Sequence, residues 1–441
     1  MQSKDLTKGN VFMVLASLAI PLMASSLLQF TYNLVDMMWV GRLGTDAVAS
    51  IGASSAFVSL GYAINALVVI GTGIKVSHSI GEQNSEKTKQ YINSGIIMNL
   101  TIGAIYGLIL FLFSKQFIGF LKLNNEIVEQ NALYYLWCSV PMLFFAFFNT
   151  WCTRIFGSFG NNKMAFKINS VGVIINMILD PIFIYVLNFG VIGAGVATLV
   201  SNAVTFALFM KIGKKYVSYQ RGVQVHKNNF FEIARLGFPN TFQRVLFTLI
   251  NIYLARLIAQ FGTDAIAAQK IGLQVESITY MVVGGILGAM SSFAGQNYGA
   301  KNFERIKEGY KMGLRIGIYY AIFTTLIFWL FPYQIVNLFI NEISAVQIAV
   351  DYLRIIGLTQ IFGATEMVSN GLFTGIGLPK VSATISIVFT FLRLPMAILL
   401  IPHFGINGIW YSIALSSALK GTAAFLYYMI NHKKLLSTQP A

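Results

Sequence analysis

Four carboxylates interrupt long apolar runs of this sequence: Asp36, Asp180, Glu276 and Glu366. An acid at the centre of a bilayer costs about 2.5–3.5 kcal/mol or more, so such residues pair with a cation, take up a proton or face water. Around Asp180 the order is Asn176-Met177-Ile178-Leu179-Asp180-Pro181, and a spacing of four puts Asn176 and Asp180 on one helix face. Pro181 has no backbone N–H to donate, which frees the Met177 carbonyl and loosens the turn beside the acid. Asp36 follows Tyr32 and Asn33 at helical spacing, so a phenol and an amide join the second carboxylate in a candidate cation cage. The chemistry these groups support is reversible capture of a proton or a metal cation in a low-dielectric setting.

The elements that must hold these residues are transmembrane helices. Hydrophobic residues make up 56% of the 441, charged residues only 11%, and mean hydropathy is +0.67; a soluble domain carries roughly 25% charged residues. Apolar runs fall near 11–40, 46–80, 91–114, 130–155, 164–186, 190–213, 230–260, 265–298, 310–333, 346–371, 380–402 and 406–431. At about 20 residues per span, these fill the chain and leave no sizeable extramembrane domain. The first run is too long for a signal-peptide core and reads as a retained helix. The net charge of +15 is gathered in alternate loops, at Lys87 and Lys89, Lys163 and Lys167, Lys211 to Lys227, Lys301 to Lys311, and Lys433 and Lys434. The opposite loops hold little, among it Lys115, Lys122 and His403. That asymmetry predicts a multi-pass protein of the cytoplasmic membrane with both termini cytoplasmic. It also argues against nucleic-acid binding, which needs a continuous basic face with stacking aromatics. Cys138 and Cys152 share one apolar run and read as packing residues.

The chain is duplicated. Gly44-Thr45-Asp46-Ala47-Val48-Ala49 recurs as Gly262-Thr263-Asp264-Ala265-Ile266-Ala267, an offset of 218 (44 to 262) that also pairs Pro21 with Pro239 and Asn84 with Asn302. Later deletions shorten it, so that Phe156 meets Phe373, Pro181 meets Pro395 and Gly190 meets Gly405. The reading is an all-α integral membrane protein of twelve transmembrane helices, in two pseudo-symmetric six-helix lobes around a central cavity. The lobes are residues 1–213 and 230–441, joined by a cytoplasmic linker at 214–229. Six spans is an even number, so both lobes insert with one orientation. At the repeat offsets Asp36 falls on Leu254 and Asp180 on Leu394. The fold does not require acids at those depths, and the unduplicated pair points to function.

These residues resemble the multidrug and toxic compound extrusion (MATE) family of secondary transporters over essentially the whole chain. Pro21 through Asp36 to Val40-Gly41-Arg42-Leu43-Gly44 is similar to that family's first helix and loop. Asn176 to Pro181, with Phe189-Gly190 and Gly193-Ala194-Gly195, is similar to its fifth and sixth helices. The resemblance implies a driving-ion site at Asp36, Asn176, Asp180 and Thr198, which would be metal ligands if the ion is Na⁺. It implies efflux of amphipathic organic cations in antiport with H⁺ or Na⁺ by alternating access, from a monomer in the lipid bilayer, with no cofactor and no enzymatic activity. Tyr32, Asn33, Glu276 and Glu366 are substrate-cavity candidates. A flippase for lipid-linked precursors is the alternative within the superfamily, and a membrane enzyme or receptor the alternative outside it.

Competing readings attach to single residues. Asp36 and Asp180 could form a structural ion pair with Arg393, and Glu276 and Glu366 could pair with Arg244, Arg256, Arg354 or Arg393. Phe144-Phe145-Ala146-Phe147-Phe148 and Trp151 could line an adaptable drug cavity or face lipid. Lys75 is expected to snorkel. There is no G-x-x-x-x-G-K-[ST] loop and no H-E-x-x-H, which points to an ion gradient rather than ATP and away from a metalloprotease.

Overall fold

The computed structural model describes residues 5–121, 123, 125–340 and 342–436, and among these the secondary structure is helical, with no strand. Lys122 lies outside them. The first half of the chain forms α1 (Val11–Gly41), α2 (Thr45–Gly81), α3 (Ser85–Leu112), the short α4 (Ser114–Phe120), α5 (Glu126–Ser158), α6 (Asn162–Pro181) and α7 (Gly190–Val217). The second half forms α8 (Lys227–Ala259), α9 (Thr263–Gly299), α10 (Phe303–Leu330), the short α11 (Pro332–Asn337), α12 (Ile343–Gly357), α13 (Gln360–Gly375), α14 (Pro379–Phe391), α15 (Arg393–Phe404) and α16 (Asn407–Leu435). By length and composition, 11 helices among the described residues can cross a membrane; α12 and α13, bent by 54°, make a twelfth if they are one span. The expected twelve runs therefore reappear.

Helix ends depart from the apolar runs where polar residues cap or extend a helix. α3 starts six residues before its apolar run because the Asn84 side chain accepts from the Lys87 N–H at 2.9 Å, satisfying an orphan donor of the first turn. The expected linker at 214–229 is shorter than its composition suggests. Lys214 and Lys215 remain in the last turn of α7, where cations favour the negative end of the helix dipole, and α8 already begins at Lys227.

The duplication extends to backbone angles. Gly44 and Gly262 precede α2 and α9 with φ of 107° and 94°, and Gln83 and Lys301, at the same offset, have φ of 56° and 55°. At the glycine pair a side chain would be strained, which explains why the Gly-Thr-Asp signature survives in both copies.

The chain forms two compact units whose membership differs from the repeat boundary. One is built on Ala24–Thr241; the other takes Leu6–Met23 together with the chain from Phe242 onward. Both α1 and α8 thus change unit partway along, two residues after Pro21 and Pro239. Close backbone approach fixes each opening segment. In the first unit, a Cβ on Gly237 of α8 would lie 1.9 Å from the Leu67 carbonyl oxygen, and one on Gly71 would lie 2.1 Å from that of Ile233. In the second, a Cβ on Gly285 of α9 would lie 2.5 Å from Met23 Cγ and 3.1 Å from the Ala19 carbonyl. At the offset of 218, Gly237 corresponds to Ala19 and Leu67 to Gly285, so one contact recurs with the glycine on the opposite helix.

Polar groups pin the same segments. Lys75 does not simply snorkel: its Nζ meets Glu232 Oε2 at 2.7 Å, and Tyr91 donates to the same oxygen at 2.6 Å, tying α2 and α3 to the start of α8. In the second unit, the Leu6 N–H donates to Gln296 at 3.0 Å, and Arg305 donates to the carbonyls of Leu6 and Lys8 at 3.2 and 2.8 Å. The aromatic run of α5 is packing. Phe147 and Trp151 are fully buried, and Phe148 sits with Trp151 and Phe206 in the core of the first unit.

Candidate functional site

In the first unit, α1, α5, α6 and α7 bring an acid pair together. Asp180 is fully buried and Asp36 partly so, and the two carboxyl groups lie within hydrogen-bonding reach of each other. Two carboxyl groups at that distance are held by a shared proton or by a cation between them, because two bare carboxylates repel. Asp180 Oδ1 receives no hydrogen bond from an N–H or O–H donor of the described residues. No Lys or Arg of the described residues forms an ion pair with either acid.

Asn176 completes the α6 side of the site. In the orientation that satisfies both ends of its amide, Nδ2 donates to Asp180 Oδ2 at 2.9 Å and Oδ1 accepts from the Thr198 backbone N–H at 3.2 Å. Turned over, the amide reaches Thr198 Oγ1 at 3.4 Å instead. Tyr32, one turn before Asp36, comes close to Thr198, whose hydroxyl donates to the Ala194 carbonyl at 2.9 Å, and Tyr135 of α5 lies near both acids. Tyr32, Asp36, Asn176, Asp180 and Thr198 therefore converge. Asn33 does not: it is exposed and accepts from Gln29 at 3.2 Å. One residue along a helix turns a side chain by roughly a quarter turn, which separates Asn33 from Tyr32 and Asp36.

The local fold explains how these helices meet. After Pro181, α6 continues as a π-helical turn, Ile182–Val186, and the Tyr185 hydroxyl donates to the Trp39 carbonyl of α1. Gly193 lets α7 approach that turn: a Cβ there would lie 2.7 Å from the Phe183 carbonyl. Gly195 does the same against Cys138 of α5, at 2.9 Å from its Cβ.

The second unit holds a different polar cluster. Glu276 Oε2 accepts from the Tyr352 hydroxyl at 2.7 Å, Tyr280 also bonds this carboxylate, and Arg393 lies close enough to act on it. Glu366 meets Lys420 Nζ at 3.0 Å and accepts from Ser386 Oγ at 2.7 Å. Arg393 itself donates through Nε to Ser416 at 3.0 Å. Of these two acids Glu366 is ion-paired, with Lys420 rather than with any of the arginines the sequence suggested, whereas Glu276 is held by a tyrosine hydroxyl. Arg354 sits over the Tyr333 ring. Sequence reading passed over Tyr135, Tyr280, Tyr352 and Lys420; a lysine in the middle of an apolar run was the signal that could have found the last.

An internally duplicated all-α membrane protein, with an oxygen-lined acid pair inside one half, has the architecture of a secondary transporter. The MatE family model matches residues 21–182 and again 239–399, and the chain belongs to that family of membrane transporters. Its relatives include the probable multidrug resistance protein YpnP of Bacillus subtilis (strain 168), 24% identical over 440 residues and covering 99% of each chain. The probable multidrug resistance protein YoeA of the same organism is 27% identical over 387 residues, 82% of each chain. A solved structure of the outward-facing conformation of a multidrug resistance MATE family transporter of the MOP superfamily has the same fold, with a TM-score of 0.92, 23% identity and 99% of each chain covered.

Proposed function

We propose that this protein exports amphipathic, cationic small molecules from the cytoplasm in exchange for H⁺ or Na⁺, with Asp36 and Asp180 as the coupling site. The observation that carries this reading is an intramembrane carboxyl pair, Asp180 buried and Asp36 half-buried, within reach of each other; among the described residues one oxygen of Asp180 receives no donor and neither acid is ion-paired with a Lys or Arg. Uptake of a cation neutralises the pair and removes the cost of burying its charge, so the ion favours the state in which α1 packs closed over α6. Asn176, Thr198 and Tyr32 supply the remaining oxygens and orient the carboxyls; Na⁺, as cargo, would use the same oxygen set. Coupling follows if ion and drug favour different states, since contacts equal in both contribute nothing. The names of the relatives favour efflux over a lipid-precursor flippase. The loop charges favour both termini on the cytoplasmic side.

The test is transport of a fluorescent organic cation in oriented proteoliposomes under imposed pH or Na⁺ gradients. Asp36→Asn and Asp180→Asn should each lower gradient-driven flux at least about tenfold while binding of the dye persists, and the gradient that drives the wild type names the ion. Undiminished driven flux in both variants would refute the assignment.

A further inference from the structure

We infer that the first unit contains a binding site for a phosphate group, in the cavity where the end of α2, the start of α3 and the end of α7 meet. The inference depends neither on the coupling ion nor on the substrate proposed above.

The cavity has a volume of about 750 Å³, inside the range of roughly 300–1,000 Å³ common for small-molecule sites. Its apolar lining includes Ile80, Ile92 and Phe159, and its charged lining is Lys89 of α3 with Lys214 and Lys215 of α7. Among the described residues no acid lines it, and none of these three lysines is ion-paired. Glu82, on the turn between α2 and α3, is already engaged by Lys87 at 2.9 Å. The wall that follows α7 is braced: the buried Asn93 of α3 accepts from the Gln220 N–H and donates to the Gln220 carbonyl, both at 2.9 Å.

The scaffold does not demand such a cavity. At the offset of 218, its lining residues Ser85, Thr88 and Ile92 correspond to Phe303, Ile306 and Tyr310, and at the later offset marked by Gly190/Gly405, Lys214 and Lys215 correspond to Met429 and Ile430. In the second unit Ile306 and Tyr310 are buried with Leu6 and Tyr428 in one apolar core, against which Phe303 packs. The cavity of about 550 Å³ that remains there is lined by Glu304 and Glu308 as well as by Arg305, Lys307 and Lys311, and Glu304 pairs with Lys307 at 2.6 Å. One repeat thus balances its charge from within, while the other leaves three ammoniums around one space with no internal counter-ion.

An ammonium is a point charge with three donors, and a group of them suits an oxyanion with several acceptor oxygens, such as phosphate. A phosphate held between Lys89 and the Lys214–Lys215 pair would tie the start of α3 to the end of α7. It could come from the headgroup of an anionic phospholipid or from a soluble phosphate ester. The exposed Ile212 and Tyr219, which flank the two α7 lysines in sequence, favour the lipid, because tyrosine settles at the headgroup level and basic pockets at helix ends take lipid headgroups.

The experiment is thermal melting of the full chain in uncharged detergent at constant ionic strength, with short-chain phosphatidylglycerol, short-chain phosphatidylcholine or glycerol 3-phosphate added. The wild type should gain a saturable rise of a few degrees with phosphatidylglycerol and none with phosphatidylcholine. Lys89→Gln/Lys214→Gln/Lys215→Gln should raise the half-saturating concentration about tenfold or more. Lys307→Gln/Lys311→Gln/Lys433→Gln, which removes the same charge from the second unit, should leave it unchanged. Ser85→Phe/Thr88→Ile, which puts the second unit's residues into the cavity without altering its charge, should weaken binding as the lysine variant does, and it decides the matter if that variant does not fold. A rise confined to phosphatidylglycerol identifies the lipid as the source, and one given equally by glycerol 3-phosphate identifies a soluble ester; either supports the site. The inference is overturned if neither phosphate compound gives a saturable rise in the wild type, or if the two triple variants respond alike.

Discussion

Asp180 and Asn176 are separated by one helical turn, and that turn decides how the site reads a cation. Asn176 both donates to Asp180 Oδ2 and accepts from the Thr198 N–H, so it fixes the carboxylate from one side and α7 from the other. A hydrogen bond to a charged group contributes about 1.5–3 kcal/mol and a neutral one about 0.5–1.5 kcal/mol. Asn176→Ala should therefore raise the half-saturating concentration of the driving ion by roughly ten- to a hundredfold. Thr198→Ala, which removes a neutral hydroxyl beside Asn176 and Tyr32 but leaves the backbone N–H, should raise it only severalfold. Ion-dependence of dye efflux checks both, and equal effects would mean that Asn176 does not act through the carboxylate. Asn33→Ala should leave ion dependence unchanged, because Asn33 turns to Gln29 on an exposed face.

Helix packing depends on places where only glycine fits. Gly237→Leu forces a side chain into the Leu67 carbonyl across the α2–α8 contact, and overpacking of that kind costs about 1–3 kcal/mol or more. Gly52→Ala on α2 meets nothing within 4 Å and should instead stabilise by roughly 0.5–1 kcal/mol, since alanine restricts the unfolded chain. Thermal melting in detergent separates the two; a neutral Gly237→Leu would show that α8 does not press on α2 as described. These contacts are invisible to hydropathy, which sees Gly71 and Gly237 only as small residues in apolar runs. Hydropathy does predict the spans themselves, because each needs a continuous stretch of apolar side chains whatever its neighbours. It misplaces the starts of α3 and α10, whose first turns are polar; at α3 the Asn84 side chain caps the first turn.

The placement of charge along the whole molecule predicts its insertion. In a Cys138→Ser/Cys152→Ser background, a cysteine at Ser218 or Ser85 should react with an impermeant thiol reagent only from the cytoplasmic face. A cysteine at Asp264 or Thr45 should react only from outside, as labelling of intact cells and inverted vesicles will report. Reaction of Ser218→Cys from outside would invert the orientation. The exchange of opening segments makes a second prediction at this level. A chain ended at residue 213 lacks Lys227–Thr241, which packs on α2 through Gly71 and Gly237, and should aggregate. One extended to residue 241 should recover helical, detergent-soluble protein by circular dichroism and size exclusion; identical behaviour of the two would show that the segment does not complete the first unit.

The linear sequence determined the membrane class, the number of spans, the duplication and the intramembrane acids. Each is a property of local composition or of a register repeated along the chain, and the cost of charge in lipid acts on a residue wherever it packs. It also set Asn176 beside Asp180, since four residues make one turn. Only the tertiary structure decided that α1 and α6 bring Asp36 to Asp180, that Asn33 turns away, and that Lys420 rather than an arginine meets Glu366. It decided as well that α1 and α8 each serve two units. Those outcomes depend on which helix faces meet and how closely, and small residues such as Gly193 and Gly237 set that through shape, which no periodicity along a single chain records.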